Sequence, residues 1–207
     1  MPRVDDYLTA LDMAARELRN RNPDHSCRRS GAQFTEKGSK SAVIELSFLN
    51  RTISITWPEL VFSEASGKEV PLKERILILH YLNGSQGEDP TGEWIAYQDI
   101  PSARFYLDAF NRRVKHPLVK GFGEQPDKLL PLASELYGAS AGSLGDASVL
   151  VHALPKIPIT LVIWRGDEEF SPDGAVLFDR TVQDILSAED ISELSSMIVY
   201  PLLAKLR

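Results

Sequence analysis

The sequence predicts an α+β protein in which an antiparallel hairpin and a mixed or antiparallel central sheet are packed with helices. Three observations carry this. Apolar and polar side chains alternate on either side of Asn50, the period-two mark of a hairpin with one buried face. Ile157 to Trp164 is apolar on both alternating faces, as in a strand covered on both sides. Apolar residues recur at helical spacing from residues 4, 71, 103, 126 and 188. The chain has 207 residues, of which 43% are hydrophobic and 25% charged, enough to close a core without covalent staples. A single compact domain over 1–207 is expected, with an N-terminal helix and hairpin in 1–66 and the remainder in 67–207.

Taken in order, Val4, Leu8, Leu11, Ala15 and Leu18 share one helical face, and Pro23 ends the pattern. This predicts a helix over 4–21. Residues 22–40 read as polar and irregular, with a short strand around Gln33 to Glu36. If Asn50 and Arg51 make the two-residue turn that follows, then Phe48 faces Ile53, Leu46 faces Ile55 and Ile44 faces Trp57. That register puts the large apolar residues on one face. Pro71 suits a helix start, and Leu72 to Leu82 is apolar around most of its circumference, which predicts a buried helix.

Phe105, Tyr106 and Phe110 fit a further helix. Pro117 is expected to break the chain, with Gly121-Phe122-Gly123 as a connector, before a helix over Pro126 to Tyr137. The strand ending at Trp164 is expected in the middle of a sheet, flanked by Val149 to Leu154 and Ala175 to Phe178. Ser187 stands three residues before Asp190, a capping-box pattern that opens the closing amphipathic helix, where Pro201 should introduce a kink.

Composition excludes several classes of function. A net charge of −6 argues against a general nucleic-acid or anionic-membrane surface, and the basic group Arg28, Arg29, Lys37 and Lys40 is too short to reverse this. Cys27 is the single cysteine, so the chain alone makes no disulfide, cysteine-based zinc site or iron-sulfur cluster. No apolar run reaches the roughly 18–20 residues of a membrane span. The opening MPRVDDYLTA is acidic and amphipathic rather than a signal peptide, and a cytoplasmic protein is expected.

No catalytic motif survives its structural requirement. Gly138-Ala139-Ser140-Ala141-Gly142 has the spacing of a hydrolase nucleophile elbow, but that elbow needs a strand before the serine, whereas here a helix precedes it. A flexible loop is expected there. Gly121-x-Gly123 lacks the third glycine of a dinucleotide site. His25, His80, His116 and His152 have no second ligand at metal spacing. Arg165-Gly166-Asp167 spells an adhesion tripeptide, which three residues do by chance.

Two segments gather side chains of the types that bind ligands, although aromatics at helical spacing more often fill a core and charged turns are more often simply solvated. Residues 94–110 hold five aromatics, including Trp94, Tyr97, Phe105 and Tyr106, with Arg104 beside them. Aromatic faces and guanidinium groups suit a flat or anionic ligand. The turn after Trp164 holds Asp167, Glu168 and Glu169, which repel one another and call for water, a cation or a basic partner.

The stretches KEVPLKERILILHYLNG (68–84), TGEWIAYQDIPSARFYLDAFNRR (91–113) and ALPKIPITLVIWRGDEEFSPDGAVLFDR (153–180), with the closing helix, resemble the bacterial and archaeal family catalogued as domain of unknown function 3786. The resemblance runs from about Gly67 onward. Some relatives carry a cysteine-rich iron-sulfur segment of a type found in corrinoid proteins, so the resemblance implies a redox or tetrapyrrole setting. This chain, with Cys27 alone, lacks that segment.

The leading expectation is a non-catalytic module binding a small molecule or cofactor, with a corrinoid or other tetrapyrrole as candidate. Its pocket would lie between segment 94–110 and the acidic turn 167–169, with His80, Tyr81, Glu93 and Trp164 as further candidates. The alternative is an enzyme pairing His80 with Glu93, Asp99 or Asp167 as acid and base. A scaffold acting on a protein partner is the third class.

Overall fold

The computed structural model describes residues 4–38 and 41–206. Lys40 lies outside the described residues. The fold is α+β, with a four-stranded and a five-stranded sheet, both antiparallel. The backbone gathers into two compact units. The first comprises 1–89 with 154–156 and 184–186, and the second 90–153 with 157–183 and 187–207.

In the first unit, α1 (Val4–Arg19) buries Ala14, Ala15 and Leu18, and Asp5 and Asp6 sit in its first turn, where the helix dipole favours carboxylates. A second helix, α2 (Pro23–Ser30), occupies part of the stretch expected to be irregular. Its start follows cap chemistry: the Asn22 side chain accepts from His25 N at 3.0 Å, and Pro23 takes the first helical position, where no N–H is needed. Gly31 closes it with φ +72°, a left-handed conformation that suits glycine.

The sheet of this unit is a meander of β1 (Gln33–Glu36), β2 (Ala42–Phe48), β3 (Arg51–Trp57) and β4 (Phe62–Glu64), in that order. The hairpin register differs from the expected one: Phe48 faces Arg51, Leu46 faces Ile53, Ile44 faces Ile55 and Ala42 faces Trp57. The turn is Leu49-Asn50, both left-handed at φ +47° and +64°. Two positive φ values match the twist of a tight hairpin, and burial of Leu49 holds a residue that would otherwise avoid that region. The slip moves each partner by two positions, so the apolar face is preserved. Helix α3 (Leu72–Gly84) follows and buries Ile76 to Leu79, as its apolar circumference predicts.

In the second unit, β5 (Trp94–Ala96) leads through 3-10 turns at Tyr97–Asp99 and Pro101–Tyr106 into one long helical run. That run comprises α4 (Leu107–Phe110), a π-helical turn (Asn111–Lys115) and α5 (His116–Phe122). Pro117 therefore does not break the chain. It stands at the start of α5, where the wider turn before it accommodates the missing N–H. Gly121 is likewise part of α5 rather than a connector, and it lets Leu203 approach closely.

A 3-10 turn at Pro126–Lys128 opens α6 (Leu129–Tyr137), which Gly138 closes at φ +62°. Ser140 lies on the short edge strand β6 (Ser140–Ala141) instead of a loop. The sheet is completed by β7 (Ala147–Leu154), β8 (Ile157–Trp164) and β9 (Asp173–Asp179), in the order β5-β9-β8-β7-β6. The strand apolar on both faces thus stands in the middle, flanked by the two expected neighbours, and every residue from Ile157 to Ile163 is buried.

The chain then passes α7 (Val182–Ile185) and enters α8 (Ala188–Leu206), which continues past Pro201. The capping box forms as expected: Asp190 N donates to Ser187 Oγ at 3.1 Å, and Ser187 N donates to Asp190 Oδ2 at 3.3 Å. Among the described residues, no helix is long and apolar enough to cross a membrane.

Candidate ligand-binding hollow

A hollow of about 280 Å³ opens in the second unit where β9, the end of β8 and the α4 to π-helical run come together. Its apolar wall includes Tyr97, Leu107, Phe110, Trp164 and Val176, and its polar groups are Gln98, Asn111, Lys115 and Asp173.

Tyr97 and Phe110 stack with ring centroids 3.9 Å apart and planes 3° from parallel, and Phe178 meets both rings at an angle at 6.3–6.4 Å. The Tyr97 hydroxyl donates to the carbonyl of Ala188 at 2.9 Å, which fixes the ring. Burial of this phenol, with Tyr106 and Glu189 nearby, pushes its pKa up to about 12, so it remains a neutral donor.

Trp164 caps the end of β8 and faces Asp173 across the ladder. Its indole is 41% exposed, an unusual state for the last residue of an otherwise buried strand. Lys115 Nζ pairs with Asp173 Oδ1 at 3.0 Å. Desolvation alone would raise the Asp173 pKa, but the Lys115 ammonium and the Gly174 N–H outweigh it and hold the carboxyl below its ordinary value. Gly174 is a place where only glycine fits. A Cβ there would lie 2.9 Å from both Val119 Cγ2 and the Val162 carbonyl.

The sequence-predicted site residues separate on this frame. Tyr97 and Trp164 line the hollow together. Trp94, on β5 opposite Asp179, and the 3-10 residues Arg104, Phe105 and Tyr106 are exposed and do not line it, Phe105 being 95% accessible. Glu93 forms an exposed ion pair with Arg180 at 2.5 Å.

The acidic turn folds on itself: Asp167 Oδ1 accepts from Phe170 N at 2.7 Å and Glu169 N at 2.9 Å. Those donors keep the Asp167 carboxyl below its usual range, while Glu168 and Glu169 stay exposed. Arg165 of the tripeptide pairs with Asp127 at 3.0 Å.

His80 and Tyr81 belong to the first unit. His80 is half-buried on α3. Tyr81 is a buried hub, its hydroxyl donating to the Ser30 carbonyl and accepting from Lys156 N at 3.1 Å, and burial raises its pKa.

The residues that sequence reasoning passed over are Gln98, Leu107, Asn111, Lys115, Asp173 and Val176. For Asp173 and Val176 a signal existed in the glycine between two apolar strands. For Asn111 and Lys115 there was none, because the π-helical turn shifts which side chains share a face and nothing in the residues announces it.

A family model matches residues 22–200. The chain belongs to the family described as domain of unknown function (DUF3786). The match starts at Asn22, the cap of α2, and ends at Tyr200 inside α8, so the DUF3786 region takes in parts of both units, without α1, and begins well before Gly67, from which the resemblance runs. No curated protein matches the chain, and no solved structure does.

Proposed function

We propose that this DUF3786 protein is a non-catalytic binding protein of the cytoplasm that holds a flat, ring-sized small molecule against Trp164. The observation that carries this reading is the hollow itself: a half-exposed indole and a stacked Tyr97–Phe110 pair beside the amides of Gln98 and Asn111. Ring faces supply contact area and the amides supply edge hydrogen bonds, the usual division of labour in a small-molecule site. With Lys115 and Asp173 neutralising each other, the hollow favours a neutral or zwitterionic ligand. Its volume of about 280 Å³ takes one ring system, or one edge of a tetrapyrrole, and among the described residues its lining holds no histidine, cysteine or methionine to ligate a macrocycle's metal.

The acid–base alternative is less well supported. Glu93 is engaged by Arg180, Asp99 accepts from Ala96 N at 3.0 Å, and Asp167 accepts from two backbone donors. A scaffold role has one specific observation in its favour, the exposed rings of Phe105 and Phe170.

The test is fluorescence titration of the protein with planar heteroaromatics such as nucleobases and pterins, with hydroxocobalamin and haemin as tetrapyrrole arms. Saturable quenching that disappears in Trp164→Phe is expected, since Trp164 is one of three tryptophans. Saturable quenching that survives in that variant, or none with any probe, would remove the proposal.

A further inference from the structure

We propose that the arginine- and histidine-bearing face of α2 is a binding site for a phosphate monoester. Two adjoining hollows open on this face, of about 210 and 370 Å³, and His25 and Arg29 line both. The two residues are four apart on one helix and so share a face. The second hollow is the more open and adds Arg28 and Gly87 to its walls.

Charge accounting singles out the same pair. Arg21 is paired with Glu17 at 2.6 Å, Arg28 with Asp24 at 2.6 Å and Lys156 with Asp89 at 3.1 Å. Among the described residues Arg29 forms no ion pair: its contact is a long 3.4 Å hydrogen bond to the neutral amide oxygen of Gln86. His25 is exposed, and its bond to Asn22 uses the backbone N–H rather than the ring. In a chain of net charge −6, a half-buried guanidinium with no ion-pair partner among the described residues is an anomaly that an anion would resolve.

The loop over this face fits the same reading. Gly87, at φ +102°, lies against the arginine stem, where a Cβ would stand 3.5 Å from Arg29 Cγ. The Gly87 carbonyl is held by Lys156 Nζ at 2.7 Å, which keeps the loop in place.

A planar guanidinium with several parallel N–H donors, joined by an imidazole donor, suits a tetrahedral dianion, whose several oxygens can take both. The open hollow beside Arg28 and Gly87 leaves room for the carbon skeleton that carries the phosphate.

The experiment is proton NMR of the full chain titrated at low ionic strength with inorganic phosphate and with glycerol 3-phosphate. The His25 ring resonances are assigned by their loss in His25→Gln. They should move saturably with both probes, with glycerol 3-phosphate the tighter, and Arg29→Gln should weaken binding roughly tenfold or more while Arg29→Lys recovers part of it. Glu135→Gln, which removes an ion pair with Lys205 inside the second unit, should leave it unchanged. His25 resonances that stay fixed up to about 10 mM probe, a range covering millimolar affinity, would overturn the proposal. So would equal affinity in wild type and Arg29→Gln.

Discussion

The two sheets bury their side chains in different ways. In the first unit β2 and β3 alternate: Ala42, Ile44, Leu46, Phe48, Ile53 and Ile55 are buried, while Ser47, Thr52 and Thr56 are exposed. In the second unit β8 has no open face, and Thr160 and Val162 are buried along with Ile159, Leu161 and Ile163. A one-sided sheet is held by half its side chains and forgives change in the other half. A sheet covered on both sides has no forgiving positions. The largest expected effect follows from this. Val162→Asp puts an unpaired charge into a fully buried site and should cost about 4 kcal/mol or more. Thr52→Asp, on the open face of β3, should stay within about 0.5 kcal/mol. Urea unfolding of both variants measures the contrast, and equal costs would break it.

Two helical glycines sharpen the same point at the level of packing. A Cβ on Gly84 at the end of α3 would land on the carbonyl oxygen of Ile185, whereas one on Gly121 in α5 would meet the Leu203 Cδ2 methyl. Backbone cannot yield cheaply, but a leucine can change rotamer. Gly84→Ala should therefore cost about 3 kcal/mol. Gly121→Ala should cost about 1 kcal/mol or less, because alanine's better helix propensity offsets part of the crowding. Thermal melts that rank the two in the opposite order would show that α3, not α5, is the helix free to shift.

How much of this was legible beforehand depended on whether a feature is local. The placement of β8 between β7 and β9 was readable because seven consecutive buried residues leave an unambiguous apolar run. The Ser187–Asp190 cap was readable because its chemistry spans four residues. The hairpin slip was not, since choosing Leu49-Asn50 over Asn50-Arg51 depends on burying Leu49, a tertiary gain. Helix α2 carried its Asn-Pro start signal, yet its polar composition hid it.

At the site, Tyr97 and Trp164 were legible as conspicuous aromatics. Asn111 and Lys115 were concealed by the π-helical turn. The acidic turn drew notice through its charge, but backbone amides already satisfy Asp167.

The smaller effects come from two carboxylates that hold the same strand junction under opposite conditions. Asp179, 1% exposed at the end of β9, accepts from Gly92 N at 2.6 Å, Thr181 Oγ1 at 2.8 Å and Thr181 N at 3.1 Å. Burial would raise its pKa, but these donors outweigh it and the folded value lies below the ordinary one. A lowered folded pKa means that the stabilisation is complete above about pH 4 and is lost as pH falls through the folded value. Asp179→Asn, which turns one acceptor into a donor among donors, should cost about 1–3 kcal/mol at pH 7. That deficit against wild type should shrink as pH falls below about 4, where the carboxylate of the unfolded chain protonates first, and it should vanish only once pH has fallen through the lower folded value.

Glu93, next to Gly92 in the chain, tests the exposed case. Its 2.5 Å pair with Arg180 is more than half accessible on both sides, so solvent screens it and two long side chains must be ordered to make it. Glu93→Gln should change stability by less than about 0.5 kcal/mol, with a loss that disappears at about 1 M salt. Should Glu93→Gln prove as costly as Asp179→Asn, the junction of β5 and β9 would be held by the surface pair, and burial would not be what separates the two carboxylates.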